Sequence, residues 1–204
     1  MINSNSQLIQ QKIQEGLNLR QIQGWKKESN GKVFTLETTK YKDYSLKLVK
    51  IQGVINQSAE KVRKYYQEDF ESQKKARPQI DILQLVDTID KDNCIAYYKN
   101  KSMFLVSARD LLYQQHQEQL NENLSVIVCI DIENYPKATP VKGCVRAQAV
   151  ISVQFFEKLS DKQTKMEAYL LVDPKGSIPD SLVNSTVKEQ LEEYERDIPF
   201  ISQL

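Results

Sequence analysis

From Val141 to Asn184 the residue pattern calls for two strands and a helix. Val145, Ala147, Ala149, Ile151, Val153 and Phe155 alternate with Cys144, Arg146, Gln148, Ser152 and Gln154. Successive side chains of a strand point to opposite faces, so this pattern describes a strand with one apolar face. A one-residue slip would turn that whole face to solvent. After a polar turn at residues 160–165, Met166, Ala168, Leu170 and Val172 repeat the pattern. Asp173-Pro174-Lys175-Gly176-Ser177-Ile178-Pro179 follows, and Pro179 can open a helix because the N–H it lacks would have no partner in a first turn. Beyond it Leu182, Val183, Val187, Leu191 and Tyr194 form one apolar stripe. A strand pair leading into an amphipathic helix lets that helix fold back over the sheet, which can enclose a cavity.

Upstream, Leu8, Ile9, Ile13, Leu17 and Ile22 recur at helical spacing in a Gln-rich segment that ends near Gly24. Residues 32–38 and 44–55 alternate as strands around a turn at Lys42 and Asp43. Ser58 is placed to cap a helix lined by Val62, Tyr65, Tyr66 and Phe70, and residues 71–78 read as a loop or a short helix end. Apolar segments of strand length follow at 82–89, 93–98, 103–113 and 124–132. Helix, strands, helix, strands, helix is an α+β order, fitting an antiparallel sheet with helices gathered on one side.

The 204 residues suit a single domain spanning 1–204. No run of about eighteen apolar residues occurs and the first residues are polar, so neither a spanning helix nor a secretory segment is expected, and the expected location is cytoplasmic. Cys94, Cys129 and Cys144 are odd in number and widely separated, which suits buried reduced thiols better than disulfides or zinc ligands. The glycines are scattered, so no phosphate-binding loop exists, and no cofactor is expected. His116, the one histidine, sits among polar Gln114 to Gln119 and reads as an exposed or turn residue with no metal-ligand or nucleophile partner at useful spacing. An enzyme is therefore not expected. A net charge of +1 implies no nucleic-acid partner. Residues 1–77 carry 15 basic against 8 acidic side chains, but no four bases are adjacent, so this is a solvated surface that could touch an anionic bilayer only transiently.

Arg109 and Asp110 interrupt an apolar strand, and charges in such a place are either paired with neighbouring backbone or left to recognise a ligand head. Arg146 offers the same choice. In a regular strand Arg109 shares its face with Leu111, Tyr113 and Gln115, the mixture of apolar bulk and few polar groups found in small-molecule cavities.

Several short stretches resemble the START domain family, the lipid-transfer family related to steroidogenic acute regulatory protein. These are Gly24-Trp25-Lys26; Ile51-Gln52-Gly53-Val54-Ile55 with Ser58-Ala59-Glu60-Lys61-Val62; Tyr97-Tyr98-Lys99 with Val106-Ser107-Ala108-Arg109-Asp110; and Gly143-Cys144-Val145-Arg146 with the Asp173 to Pro179 stretch and Leu182-Val183-Asn184. The resemblance runs from about Leu8 to Phe200. It implies a helix-grip fold, a curved antiparallel sheet wrapped around a long C-terminal helix with an internal hydrophobic cavity for one lipid. Where sterol-binding members pair a buried acid with an arginine, this chain has Ala96 and Gln115.

With that resemblance the expected function is binding one lipid, a phospholipid, sterol or related molecule, and transferring or sensing it between membranes, by a monomer. Arg109, Tyr113, Gln115, Tyr98 and Arg146 are the candidates for the head-group end. Ala147, Ala149, Ile151, Leu170, Leu182, Val183 and Val187 are the candidate wall and lid. The rival reading is an interaction or regulatory module on the same fold with a filled core.

Overall fold

The structure, a computed structural model, describes residues 5–102, 106–138 and 141–204. The elements run α1 (Asn5–Gln21), β1 (Lys26–Asn30), β2 (Phe34–Tyr41), β3 (Tyr44–Ile55), α2 (Ala59–Glu68), α3 (Phe70–Ala76), β4 (Ile80–Thr88) and β5 (Asn93–Asn100). They continue as β6 (Arg109–Asn121), β7 (Leu124–Asp131), β8 (Val145–Arg146), β9 (Gln148–Ser160), β10 (Gln163–Asp173), α4 (Asp180–Ser185) and α5 (Val187–Ile201). The strands form one ten-stranded sheet in the order β1-β2-β3-β10-β9-β7-β6-β5-β4. All pairings are antiparallel except the short one of β8 with β6. The sheet curves around α5, which meets β1, β2 and β3 on one side and α2 and α3 on the other. This is the helix-grip α+β architecture.

Both faces of the sheet are covered. On the inner face Val62, Tyr65 and Tyr66 of α2 and Val187, Leu191, Tyr194 and Ile201 of α5 pack with Phe34, Leu36, Val49, Ile51, Ile127, Phe156, Met166 and Ala168. On the outer face Ile9, Ile13 and Leu19 of α1 pack with Val126, Val128, Val153, Phe155, Tyr169 and Leu171. The helices are therefore not gathered on one side, and α1 buries Ile9, Ile13, Gly16 and Leu19 rather than Leu8 and Ile22. Gly16 is what lets α1 lie so close: a Cβ there would stand 2.7 Å from Val153 Cγ1.

Local chemistry explains most boundaries. Ser58 accepts from the Lys61 N–H and starts α2. Asp69 ends α2 and, by accepting from the Ser72 N–H, starts α3, so Phe70 belongs to a second short helix. Strand β6 continues beyond the expected segment 103–113, through His116, read from the sequence as an exposed or turn residue, to Asn121. Its outer face meets the Gln-rich face of α1 through polar contacts, Asn5 to Gln114 at 2.8 Å and Gln10 to Glu118 at 2.9 Å, so it needs no apolar alternation. His116 is half-buried on that strand with Nδ1 3.0 Å from Asn93 Oδ1.

The long alternating segment does not form one face. It divides into β8 and β9, and β9 carries a bulge: Leu171 pairs with Ile151 but Val172 with Ala149, leaving Val150 as the extra residue. Side chains before and after a bulge change face. Ile151, Val153 and Phe155 consequently join the outer core, while Ala149 shares the inner face with Leu170 and Val172. The expected single C-terminal helix also divides, at Thr186, into α4 and α5.

Candidate functional site

The ladders place a polar belt on the inner face. Ala96, Tyr113 and Asp131 lie side by side across β5, β6 and β7, and so do Cys94, Gln115 and Cys129 in the adjacent row. Tyr98 stands opposite Leu111 in the next row. Directly opposite residues of neighbouring strands share a face. Gln115 is buried and its Nε2 donates to the Gln67 carbonyl of α2 at 3.0 Å, tying the helix to the sheet.

Tyr98, Tyr113 and Cys129 are closed in by protein yet stay only half-buried in surface terms. The ladders put all three on the inner face of the sheet, the side covered by α2 and α5. Burial pushes the Tyr113 phenol well above its ordinary range, the Cys129 thiol up to about 12 and the Tyr98 phenol up to about 12. All three stay protonated at neutral pH and are available as donors. Among the described residues the Tyr98 and Tyr113 hydroxyls have no hydrogen-bonding partner. A cavity of about 250 Å³, lined among others by Gln67, Phe70, Leu85, Cys94 and Gln115, opens to the surface where the β4–β5 hairpin faces α2.

Asp131 was not among the sequence candidates. The β7–β9 ladder ends at Val128 and Val153, and beyond it the Asp131 Oδ2 accepts from the Ala149 N–H at 2.8 Å across the opening strands. Its Oδ1 is buried with no partner. Burial pushes the carboxyl up to about 6, although the Ala149 N–H, Arg146, Lys12 and Lys175 act in the other direction. An inward acid at the end of the apolar run 124–132 was the one signal that could have marked it.

The arginines are committed to the protein. Arg109 spans from β6 to the loop before α4, with Nε on the Pro174 carbonyl at 3.3 Å, Nη2 on Lys175 at 3.3 Å and Nη1 on Ser107 at 2.6 Å. Arg146 pairs with buried Asp110 on the outer face, its Nε 2.9 Å from Oδ1, and the Tyr97 hydroxyl donates to the other carboxylate oxygen at 3.0 Å. The pair supports the junction of β6 with β8. Arg77 binds fully buried Asp197 of α5.

Of the sequence-derived candidates, the inner face brings together Tyr98, Tyr113, Gln115, Ala149 and Leu170, with Val187 of α5 above. Ala147 is buried at the crossover from β8 to β9. Ile151 and Arg146 lie on the far side of the sheet, Ile151 because of the bulge and Arg146 because it sits beside Asp110 in the β6–β8 register. Val183 of α4 packs against the outer core, and Leu182 is 47% exposed rather than turned inward, because α4 and α5 are separate helices. The three cysteines are free, and no cluster of metal-ligating side chains occurs among the described residues. Among them no helix is long and apolar enough to cross a membrane.

The family model described as START domain matches residues 7–197. Human StAR-related lipid transfer protein 5 has a similar structure, with a TM-score of 0.87 at 16% identity over 100% of this chain and 99% of that one. A STAR-related lipid transfer protein from Xanthomonas axonopodis gives a TM-score of 0.76 at 17% identity over 88% of this chain and 99% of that one. The lipid transfer and protein localization domain of human StarD13 gives 0.73 at 20% identity, covering 93% of each chain. At these identities the likenesses establish the fold. No curated protein sequence matches the chain.

Proposed function

The chain belongs to the START domain family, and from that premise we propose that it binds one lipid between the inner face of the sheet and helix α5 and carries it between membranes without chemical turnover. The observation that carries this reading is the set Tyr98, Tyr113 and Cys129, closed in by protein yet with surface left over. Filling such a space with hydrocarbon releases about 0.8 kcal/mol per CH2. Few polar groups then suffice to orient the head.

Exchange with a membrane takes place at α4. This short helix presents Leu182 to solvent, with Val172 also exposed before it in the chain and Tyr44 exposed next to Ser45, whose hydroxyl reaches Asp180 of α4. Contact is transient, since the apolar surface offered is small. The N-terminal third contributes its excess of basic charge to the encounter.

Native mass spectrometry after incubation with mixed liposomes tests the reading, with retention of a single lipid adduct as the expected result. Ala149→Trp fills the space from the strand next to Asp131 and should abolish that adduct while the far-ultraviolet circular dichroism stays that of the wild type. A protein that takes up no lipid, and whose Ala149→Trp form simply unfolds, is instead a packed interaction module.

A further inference from the structure

Given the lipid carriage proposed above, the inner face also bears on the kind of lipid. Asp131 faces Tyr113 across the β6–β7 ladder, with one oxygen held by the Ala149 N–H at 2.8 Å and the other buried without a partner. A carboxylate oxygen out of water needs a donor, and the protein supplies none, so the donor must come from outside. The neighbouring cations are already paired: Lys12 and Lys175, which act on Asp131, sit on Glu15 and Asp173. Arg77 is spent on Asp197, Arg109 on the carbonyls of Ser107, Pro174 and Lys175, and Arg146 on Asp110. A phosphodiester entering this belt would therefore meet a carboxylate with no uncommitted arginine among these to offset it. The Tyr98 and Tyr113 hydroxyls, on the same inner face as Asp131, are neutral.

We propose that Asp131 is the polar anchor of the cavity and accepts a hydrogen bond from a hydroxyl group of the bound lipid, so that the protein selects phosphate-free, hydroxyl-bearing lipids over phosphodiester lipids. Tyr113 is the cross-strand neighbour of Asp131, and its hydroxyl can donate to the same lipid oxygen, completing the recognition of an alcohol that both gives and receives. Tyr98, a row further along β5, stands where a second hydroxyl or an amide carbonyl of the lipid would reach.

The test uses the full chain and phosphatidylcholine vesicles containing equal mole fractions of a diacylglycerol, a ceramide and cholesterol, with the bound lipid identified by extraction and native mass spectrometry. Wild type should take up hydroxyl lipids in preference to phosphatidylcholine by about tenfold or more. Asp131→Asn keeps an oxygen for the Ala149 N–H but replaces the free acceptor with an amide donor, and should lose about tenfold of that preference. Preferential uptake of phosphatidylcholine by wild type overturns the inference and leaves lipid carriage standing. So does an unchanged preference in Asp131→Asn. Should that variant fail to fold, the wild-type competition decides alone. Absence of any bound lipid in wild type overturns the carriage reading itself, and this inference with it.

Discussion

Asn184 of α4 completes the exposed edge of β3: its Oδ1 accepts from the Lys47 N–H at 2.9 Å and its Nδ2 donates to the Ser45 carbonyl at 3.1 Å. The pairing of β10 with β3 stops at Leu170 and Val49, so those backbone groups have no strand beside them. One amide side chain stands in for the missing strand and docks α4 in the gap. The Ser45 hydroxyl donates to Asp180, and Arg109 holds the preceding loop by two carbonyls, so the helix is tied by polar contacts at its edges rather than by a buried apolar face. Such ties open at modest cost.

Asn184→Ala should therefore free α4 without unfolding the protein. Loss of the two hydrogen bonds corresponds to about 1–2 kcal/mol, partly recovered because water reaches the exposed edge. Amide exchange at Lys47 and along 182–186 should quicken by about tenfold while the β9 amides keep their protection. Equal acceleration throughout the sheet would mean that Asn184 supports the whole fold rather than the docking of α4.

The other half of the C-terminal helix is fixed. Fully buried Asp197 accepts from the Tyr65 hydroxyl at 2.9 Å and from Arg77 Nε at 3.1 Å, and the guanidinium lies 5.3 Å from the Tyr194 ring centre. Burial works against the charge on Arg77, but Asp197 beside it holds its pKa well above the ordinary value. Asp197→Ala leaves that cation buried and alone and should cost about 3–5 kcal/mol in urea unfolding. Arg77→Met with Asp197→Leu should recover much of the loss, because an apolar pair of similar size needs no partner. A double variant as unstable as the single one would assign the cost to packing instead.

The strands around residues 34–55 and 163–173 were legible because one face of each carries apolar side chains at a period of two. The bulge at Val150 was not, since Val145 to Phe155 alternates just as well without it; only the paired strand reveals the extra residue. Nor was β1, whose Lys-Lys-Glu-Ser-Asn sequence has no apolar face because an edge strand is held by one row of backbone bonds to β2. The site was half legible for the same reason. Tyr98, Tyr113 and Gln115 follow from strand parity, whereas the fates of Arg109 and Arg146 depend on Pro174, Lys175 and Asp110, which lie far away in sequence or on a face set by register.

Gly16 tests the packing of α1. An added methyl would stand 2.7 Å from Val153 Cγ1 and 3.1 Å from Phe155, both fully buried and on a stiff sheet. Helix propensity favours Gly16→Ala by up to about 1 kcal/mol, but overpacking costs about 1–3 kcal/mol, so the variant should be less stable on balance. Gly16→Val should be worse again, and increased stability of either in thermal melts would show that α1 can lift without penalty.

Asp131 gives stability an unusual pH dependence. Its carboxyl is pushed up to about 6 from the ordinary 3.8, chiefly by burial. The folded protein thus holds the proton more tightly than the unfolded chain, and the group's favourable contribution is complete below about pH 4 and lost as pH rises through about 6. Most paired acids act with the opposite sign, as Asp173 and Asp90 do here with their lowered values. Those groups, and Glu193 with its raised value, are common to wild type and Asp131→Asn and cancel in the difference between them. Urea unfolding of both proteins from about pH 4 to about pH 7 should show wild type losing stability relative to Asp131→Asn as pH rises. A bound hydroxyl lipid stabilises the ionised form and should flatten that slope, whereas a difference independent of pH in the lipid-free protein would mean that the carboxyl is not held up by its surroundings.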